Sequence, residues 1–150
     1  MQNKTVLFAT DHAGFELRDF VLPHLKNLGY EVEDMGPKKQ KEGDDYPDIM
    51  APLAQKISEK PNKYVGVIMG GSGQGEAMVA NKYEGVRATV FYGGDEDIIR
   101  LSREHNDANV LSLGARFLSA DQAKKAAELW LKTKFPGETR HTRRIEKIDP

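Results

Sequence analysis

The sequence predicts a three-layer α/β/α sandwich on a parallel sheet, and three observations carry that expectation. Short apolar, β-branched runs alternate with longer segments of helical period, as repeated βαβ units require. The chain has 150 residues, 39% of them apolar, which suffices for one compact domain with a real core. No internal repeat or low-complexity tract divides it.

The strands are expected at Thr5–Ala9, Tyr30–Glu33, Tyr64–Met69, Arg87–Phe91 and Asn109–Leu113. Between the first two, Phe15–Leu28 carries Phe15, Leu17, Phe20, Val21, Leu25 and Leu28 at roughly helical spacing, and Gly29 ends that helix. Tyr46–Lys60, Glu76–Lys82, Asp95–His105 and Ser119–Lys132 read as the remaining helices. Pro23 and Pro52 should kink or shorten the first two, because proline lacks the N–H that a helix interior uses. The stretch "MGPKKQKEGDD", Met35–Asp45, is polar and contains glycine and proline, so it reads as a surface loop within one domain. That domain spans residues 1–150 and closes with a helical tail at about 138–150.

Composition narrows the function. A formal net charge of −1 and a pI near 6.4 give no global basic field, so neither nucleic acid nor an anionic membrane is the expected partner. A small ligand is. The absence of cysteine excludes a disulfide framework, a thiolate metal site and a cysteine nucleophile. The apolar run in "MQNKTVLFAT" is too short for a signal peptide and no stretch approaches a membrane span, so the cytoplasm is the expected compartment. No pair of the four histidines shows metal-ligand spacing with carboxylate support, and neither a metal nor an organic cofactor is expected.

In an open parallel sheet, ligands lie outside the carboxyl ends of the strands. Two polar clusters fall there: "TDHAG", Thr10–Gly14, after the first strand, and the glycine-rich loop within "VIMGGSGQGEAMVANK", Val67–Lys82, after the third. The loop fails two phosphate motifs at one residue. A dinucleotide fingerprint from Gly71 continues at Gly73 but needs glycine where Glu76 stands, and a P-loop from Gly70 reaches Gly75 but then needs lysine at Glu76. A carboxylate there repels a polyphosphate, while the surrounding amides still suit a partial negative charge on a sugar oxygen. Glu76 is also explained as an acid favoured in a helix's first turn for dipole reasons alone, and Ser72 as a turn residue. Met69 and Met78 read as core filling.

Asp11 and His12 form an acid–imidazole pair able to move a proton at a sugar hydroxyl, or else an N-cap beside a solvated histidine. His105, in "SREHNDANV", is a second imidazole or a helix-end residue responding to the dipole. His24, inside the first helix, is structural. In "FPGETRHTRRIEKI", Arg140 and Arg144 share a helical face and suit a phosphate monoester, although a solvated basic face explains the same pattern.

Together these segments resemble the ribose/galactose isomerase family, that of ribose-5-phosphate isomerase B and the galactose-6-phosphate isomerases. The resemblance is carried by "DHAGFELR" (11–18), "DYPD" (45–48), "GGSGQGEAMVANK" (70–82), "SREHNDANVLSLGAR" (102–116) and "RHTRRI" (140–145), in order over nearly the whole chain. It implies a Rossmann-like α/β/α fold with a five-stranded parallel sheet and a metal-independent aldose–ketose isomerase that works as a dimer or tetramer. It further implies that Asp11 and His105 assist ring opening, with Tyr46 lining the site. Glu76 moves the proton from C2 to C1 through a cis-enediolate, while Ser72 and the amides of Gly71, Gly73 and Gly75 steady the oxygens. His12, Arg116, Arg140, His141 and Arg144 hold the phosphate, Asn106 touches the sugar, and the tail arginines reach a neighbouring subunit's site. Some family members carry a cysteine base at the end of the third strand; here that position is Gly70, which groups this chain with the members that use glutamate. Ribose 5-phosphate, a six-carbon sugar phosphate, and a binding module without catalysis remain the three readings, and burial and the helix dipole pull the Glu76 pKa in opposite directions.

Overall fold

The computed structural model describes residue 1 and residues 3–149. Its strands are β1 (Thr5–Thr10), β2 (Val32–Asp34), β3 (Tyr64–Gly70), β4 (Ala88–Phe91) and β5 (Val110–Gly114). Its α-helices are α1 (Phe15–Asn27), α2 (Tyr46–Glu59), α3 (Gln74–Ala80), α4 (Asp97–Glu104), α5 (Ala120–Lys132) and α6 (Thr139–Ile145). All strand pairings are parallel, in the order β2-β1-β3-β5-β4.

The period-2 alternation of the central strands divides the core into two layers. Val6, Phe8, Val65, Val67 and Met69 face α1 and α5, where Leu17, Val21, Leu25, Ala123, Ala126, Ala127 and Trp130 cover them, and Ile99 of α4 joins the same layer. Leu7, Ala9 and Ile68 point the other way, onto Met50, Leu53, Ala54 and Ile57 of α2 and Ala80 of α3. The inner strands β1, β3 and β5 are buried on both faces, which is why they read as unbroken apolar runs.

Element boundaries depart from expectation where local chemistry decides them. Neither proline ends its helix: α1 runs four residues past Pro23 and α2 seven past Pro52, because tertiary packing holds each apolar face against the sheet. Gly29 does terminate the first helix, at φ +89°. Helix α3 begins at Gln74 rather than Glu76, since Gly73 at φ +76° turns the chain into the helix two residues earlier. Helix α5 begins one residue late because Ser119 is its N-cap, in a reciprocal capping box with Gln122. Strand β2 loses Tyr30 and Glu31, the Tyr30 amide being tied back to Leu25 O of α1. The tail is helical over Thr139–Ile145. Met69 lies in the core as expected, but Met78 does not: it is 64% exposed on the outer face of α3.

The chain leaves β1 toward β2 on one side of the sheet, while β3 lies on β1's other side and leads outward to β5 and β4. Connections therefore diverge between β1 and β3, and the carboxyl ends of those two strands open a crevice at the topological switch point.

Candidate active site

Each wall of that crevice is a strand end continuing into a turn. After β1, Asp11 accepts hydrogen bonds from the amides of Ala13 (2.8 Å) and Gly14 (3.3 Å), capping a 3-10 turn at His12–Gly14 that leads into α1. Asp11 is thus the N-cap the sequence allowed, and it also lies against Glu76. After β3, Gly71–Gly73 turn the chain into α3, and Ser112 Oγ of β5 donates to Gly73 O at 2.6 Å to brace the turn. Ser72 is exposed, with its hydroxyl accepting from the Gln74 amide. Asp11, His12, Tyr46, Gly71, Ser72, Gly75, Glu76 and Arg116 together line a cleft of about 320 Å³.

Glu76 occupies the floor. Its side chain is 4% exposed and sits directly above Gly70, where an added Cβ would overlap the carboxylate. A side chain at the end of β3 and the Glu76 carboxylate compete for the same space. Burial pushes the Glu76 pKa up, its own backbone amide opposes this, and the charge and hydrogen bond of Asp11 add to the rise. Desolvation, not the helix start, wins.

Close approach explains two further glycines of the loop. The Arg116 guanidinium lies 3.2 Å from where a Cβ would stand on Gly71, and the Tyr46 ring 2.7 Å from the equivalent point on Gly75. A methyl group at either position would push a cleft-lining side chain aside.

His12 is gripped by the loop before α2. Asp44 Oδ1 receives both the His12 amide (3.2 Å) and its ring Nδ1 (2.6 Å), while Gln40 Nε2 donates to His12 O at 3.0 Å. The hydrogen bond to Asp44 raises the His12 pKa. Asp44 belongs to the stretch expected to be plain surface loop, and nothing in the sequence singled it out; the doubled acid before Tyr46 was the available signal. Asp11, His12 and Asp44 each bring one ligand atom within 4.8 Å of the others, a geometry compatible with a cation as well as with a hydrogen-bonded pair.

The remaining expected residues gather elsewhere. His105 caps the C-terminal end of α4 and stacks on His141 of α6, with ring centroids 4.3 Å apart and planes 13° from parallel. His141 is buried, its Nε2 has no hydrogen-bond partner among the described residues, and burial together with His105 lowers its pKa. Arg140 pairs with Glu138 at 2.8 Å, and Arg144 and Asn106 are exposed. His105 and Asn106 precede the amino end of β5, whose Val110 is in register with Gly66, whereas Glu76 follows the carboxyl end of β3 at Gly70. At about 3.3 Å per residue, roughly 13 Å of strand separates those levels. Within one chain, therefore, two groups stand apart: an acid–base cleft and an imidazole–arginine cluster.

A doubly wound parallel sheet with a buried carboxylate of raised pKa at its switch point defines an α/β protein equipped for acid–base chemistry on a small ligand. The chain belongs to the ribose/galactose isomerase family, whose model matches residues 6–148. It is 38% identical to the probable ribose-5-phosphate isomerase B of Mycoplasma genitalium over 95% of this chain and 92% of that protein. Its identity to the ribose-5-phosphate isomerase B of Mycobacterium tuberculosis is 33%, over 97% and 88%. Among solved structures, it resembles the Mycoplasma genitalium ribose-5-phosphate isomerase B with bound ribulose-5-phosphate, with a TM-score of 0.92 and 36% identity over 99% of this chain and 95% of that one. The Thermotoga maritima ribose 5-phosphate isomerase matches with a TM-score of 0.87 and 39% identity over 97% of both chains.

The environment of Glu76 makes its ionisation costly in the folded state. A folded pKa raised above the unfolded one means that protonated Glu76 favours folding at acid pH and that this contribution is lost as pH rises through the folded pKa. Glu76→Gln, a permanent mimic of the neutral form, should therefore raise Tm at pH 7, with the gain shrinking toward zero at pH 4. Thermal melts of both proteins across that range measure it; a variant less stable at pH 7 contradicts the assignment.

Proposed function

We propose that this protein interconverts ribose 5-phosphate and ribulose 5-phosphate, with Glu76 as the base. The observation that carries the reading is the buried Glu76 carboxylate, seated over Gly70 at the switch point, with a raised pKa and Asp11 in contact. Membership in the family supports it, as do relatives named for this reaction and a similar structure that holds ribulose-5-phosphate. A base that removes a proton next to a carbonyl works best with a pKa lifted toward the working pH, and desolvation moves Glu76 in that direction.

In this reading Asp11 and His105 move the protons that open the furanose ring. Glu76 then takes the C2 proton of the open aldose, and the C2–H electrons form the C1=C2 bond as the carbonyl electrons move onto O1 in a cis-enediolate. The hydroxyl proton passes from O2 to O1 as C2=O forms, and the same carboxyl group returns its proton to C1. Ser72 and the amides of Gly71, Gly73 and Gly75 face the developing oxyanion, near the start of α3 where N–H groups have no helical partner. Tyr46 and Asn106 contact the sugar. His12, Arg116, Arg140, His141 and Arg144 receive the phosphate, the arginines through paired N–H donors. No metal or organic cofactor has a step. Phosphorylated sugars are metabolites of the cell interior, and the cytoplasm is the compartment proposed.

The separation of the two residue groups supports a site shared between subunits. A two-fold dimer would bring the His105–His141–Arg140–Arg144 cluster of one chain to the Glu76 cleft of the other, reciprocally. Exposed apolar side chains suit such a contact: Ile98 and Leu101 one turn apart on α4, and the Tyr92–Phe117 ring pair at 6.0 Å.

Initial rates on pentose and hexose phosphates, with and without a chelator, test the reaction itself. Turnover of ribose 5-phosphate undiminished by chelator is expected; a preference for a hexose phosphate overturns the substrate, and no turnover on any sugar overturns the enzyme. Gly70→Ala should leave stability within about 1 kcal/mol, since only the mobile end of Glu76 stands in the way. By displacing that base it should lower kcat by a factor on the order of 100. Glu76→Gln and His105→Ala subunits, each inactive alone, should recover about a quarter of wild-type activity when mixed equally and exchanged, because half the dimers are mixed and half their sites intact. Verified exchange without recovery contradicts the shared site.

A further inference from the structure

We propose that Asp44 is a positioning residue for the substrate phosphate: its carboxylate fixes the His12 ring through Nδ1, so that Nε2 is the nitrogen presented to the ligand. The inference rests on the isomerase reading and on His12 as a phosphate contact, and it adds a residue that the reading does not use.

The geometry is specific. A single oxygen, Asp44 Oδ1, receives both the backbone amide and the ring nitrogen of His12, so main chain and ring are referenced to one point. A carboxylate only accepts hydrogen bonds, and Nδ1 at 2.6 Å must therefore carry the proton. That fixes the tautomer, and Nε2 is left for the ligand, as an acceptor when the ring is neutral and as a donor when it is charged. Gln40 holds the His12 carbonyl, so the loop clasps the residue from both peptide sides. Asp44 itself is 10% exposed at its side chain, and its Oδ2 is buried with no partner among the described residues. Its negative charge is thus committed to His12.

The charged groups facing His12 are Asp44 from the loop, Asp11 from the end of β1 and Arg116 from beyond β5. The two carboxylates raise its pKa, Asp44 first through the hydrogen bond, and Arg116 opposes them. A dianionic phosphate is best met by an imidazolium, so affinity conferred by His12 should persist at neutral pH and fall as pH rises through its elevated pKa. The phosphate's own second ionisation, near pH 6, affects wild type and variant alike and cancels in the comparison.

Asp44→Asn keeps an accepting oxygen and removes the charge. With His12 returned toward an ordinary pKa near 6.5, its imidazolium fraction at pH 8 is only about 3%, so KM for ribose 5-phosphate should rise several-fold at pH 8 and distinctly less at pH 6, with kcat little changed. A ring-nitrogen NMR titration of His12, run on both proteins, reads the same change without turnover. A merely structural role would lower kcat and Tm together and would not be rescued at pH 6. An unmoved His12 titration overturns the proposal. A moved titration with an unchanged KM overturns it too, and separates that failure from one of the isomerase reading, since wild-type turnover is measured alongside. A KM increase reproduced in wild type by chelator would assign Asp11, His12 and Asp44 to a cation instead and overturn it equally.

Discussion

The architecture of the site depends on one steric exclusion: the Glu76 carboxylate occupies the volume that any side chain at Gly70 would need. Seated there, the acid is dry enough for its pKa to rise, and the neighbouring Asp11 carboxylate adds to that rise. The turn at Gly73 delivers it, because a helix starting at Gln74 places residue 76 in the first turn, facing back over the strand end. Sheet order does the rest: only with β1 beside β3 do the Asp11 turn and the glycine-rich loop share a crevice. A carboxylate buried at this depth works against folding, and the surrounding layers of Phe8, Met69, Trp130 and their neighbours offset it.

Sequence pattern carried the fold further than it carried the site. The five strands were legible because β1, β3 and β5 are buried on both faces and therefore apolar throughout, and Gly29 marked the end of α1 without ambiguity. Residue chemistry also placed Asp11, Ser72 and Glu76 at strand ends. What periodicity did not reveal is which ends meet. The sequence places His105 just before the fifth strand, and only the parallel register of β5 beside β3 puts that end on the far level from Glu76. Met78 failed for a related reason: an apolar residue in a short helix does not declare which side faces the sheet. Asp44 was hidden because a loop's function lies in where its ends are pinned, and that pinning comes from His12, some thirty residues away.

The two residue groups differ in electrostatic character as well as in position. The cleft holds Asp11, Glu76 and Asp44 around His12, an acidic setting with Arg116 at its edge. The other cluster is cationic, with Arg140, Arg143 and Arg144 beside buried His141 and the His105 ring stacked on it. Opposite charge on the two surfaces would favour and orient the two-fold contact proposed above. In the proposed mechanism neither surface is complete alone: the first offers the phosphate only His12 and Arg116, and the second lacks the acid that moves the proton.

The Gly70–Glu76 exclusion also bears on how such sites change over evolutionary time. A side chain at the end of β3, such as the cysteine that the resemblance implies in some family members, and the Glu76 carboxylate reaching over it from α3 cannot coexist in one unaltered backbone. Under the proposed mechanism, a lineage that gains the side chain at position 70 first dislodges the carboxylate base; one that shortens residue 76 first removes that base before its replacement exists. Either order passes through an impaired protein, so the path between the two chemistries is a valley rather than a slope. Under that mechanism, branches on either side should hold their base for long periods.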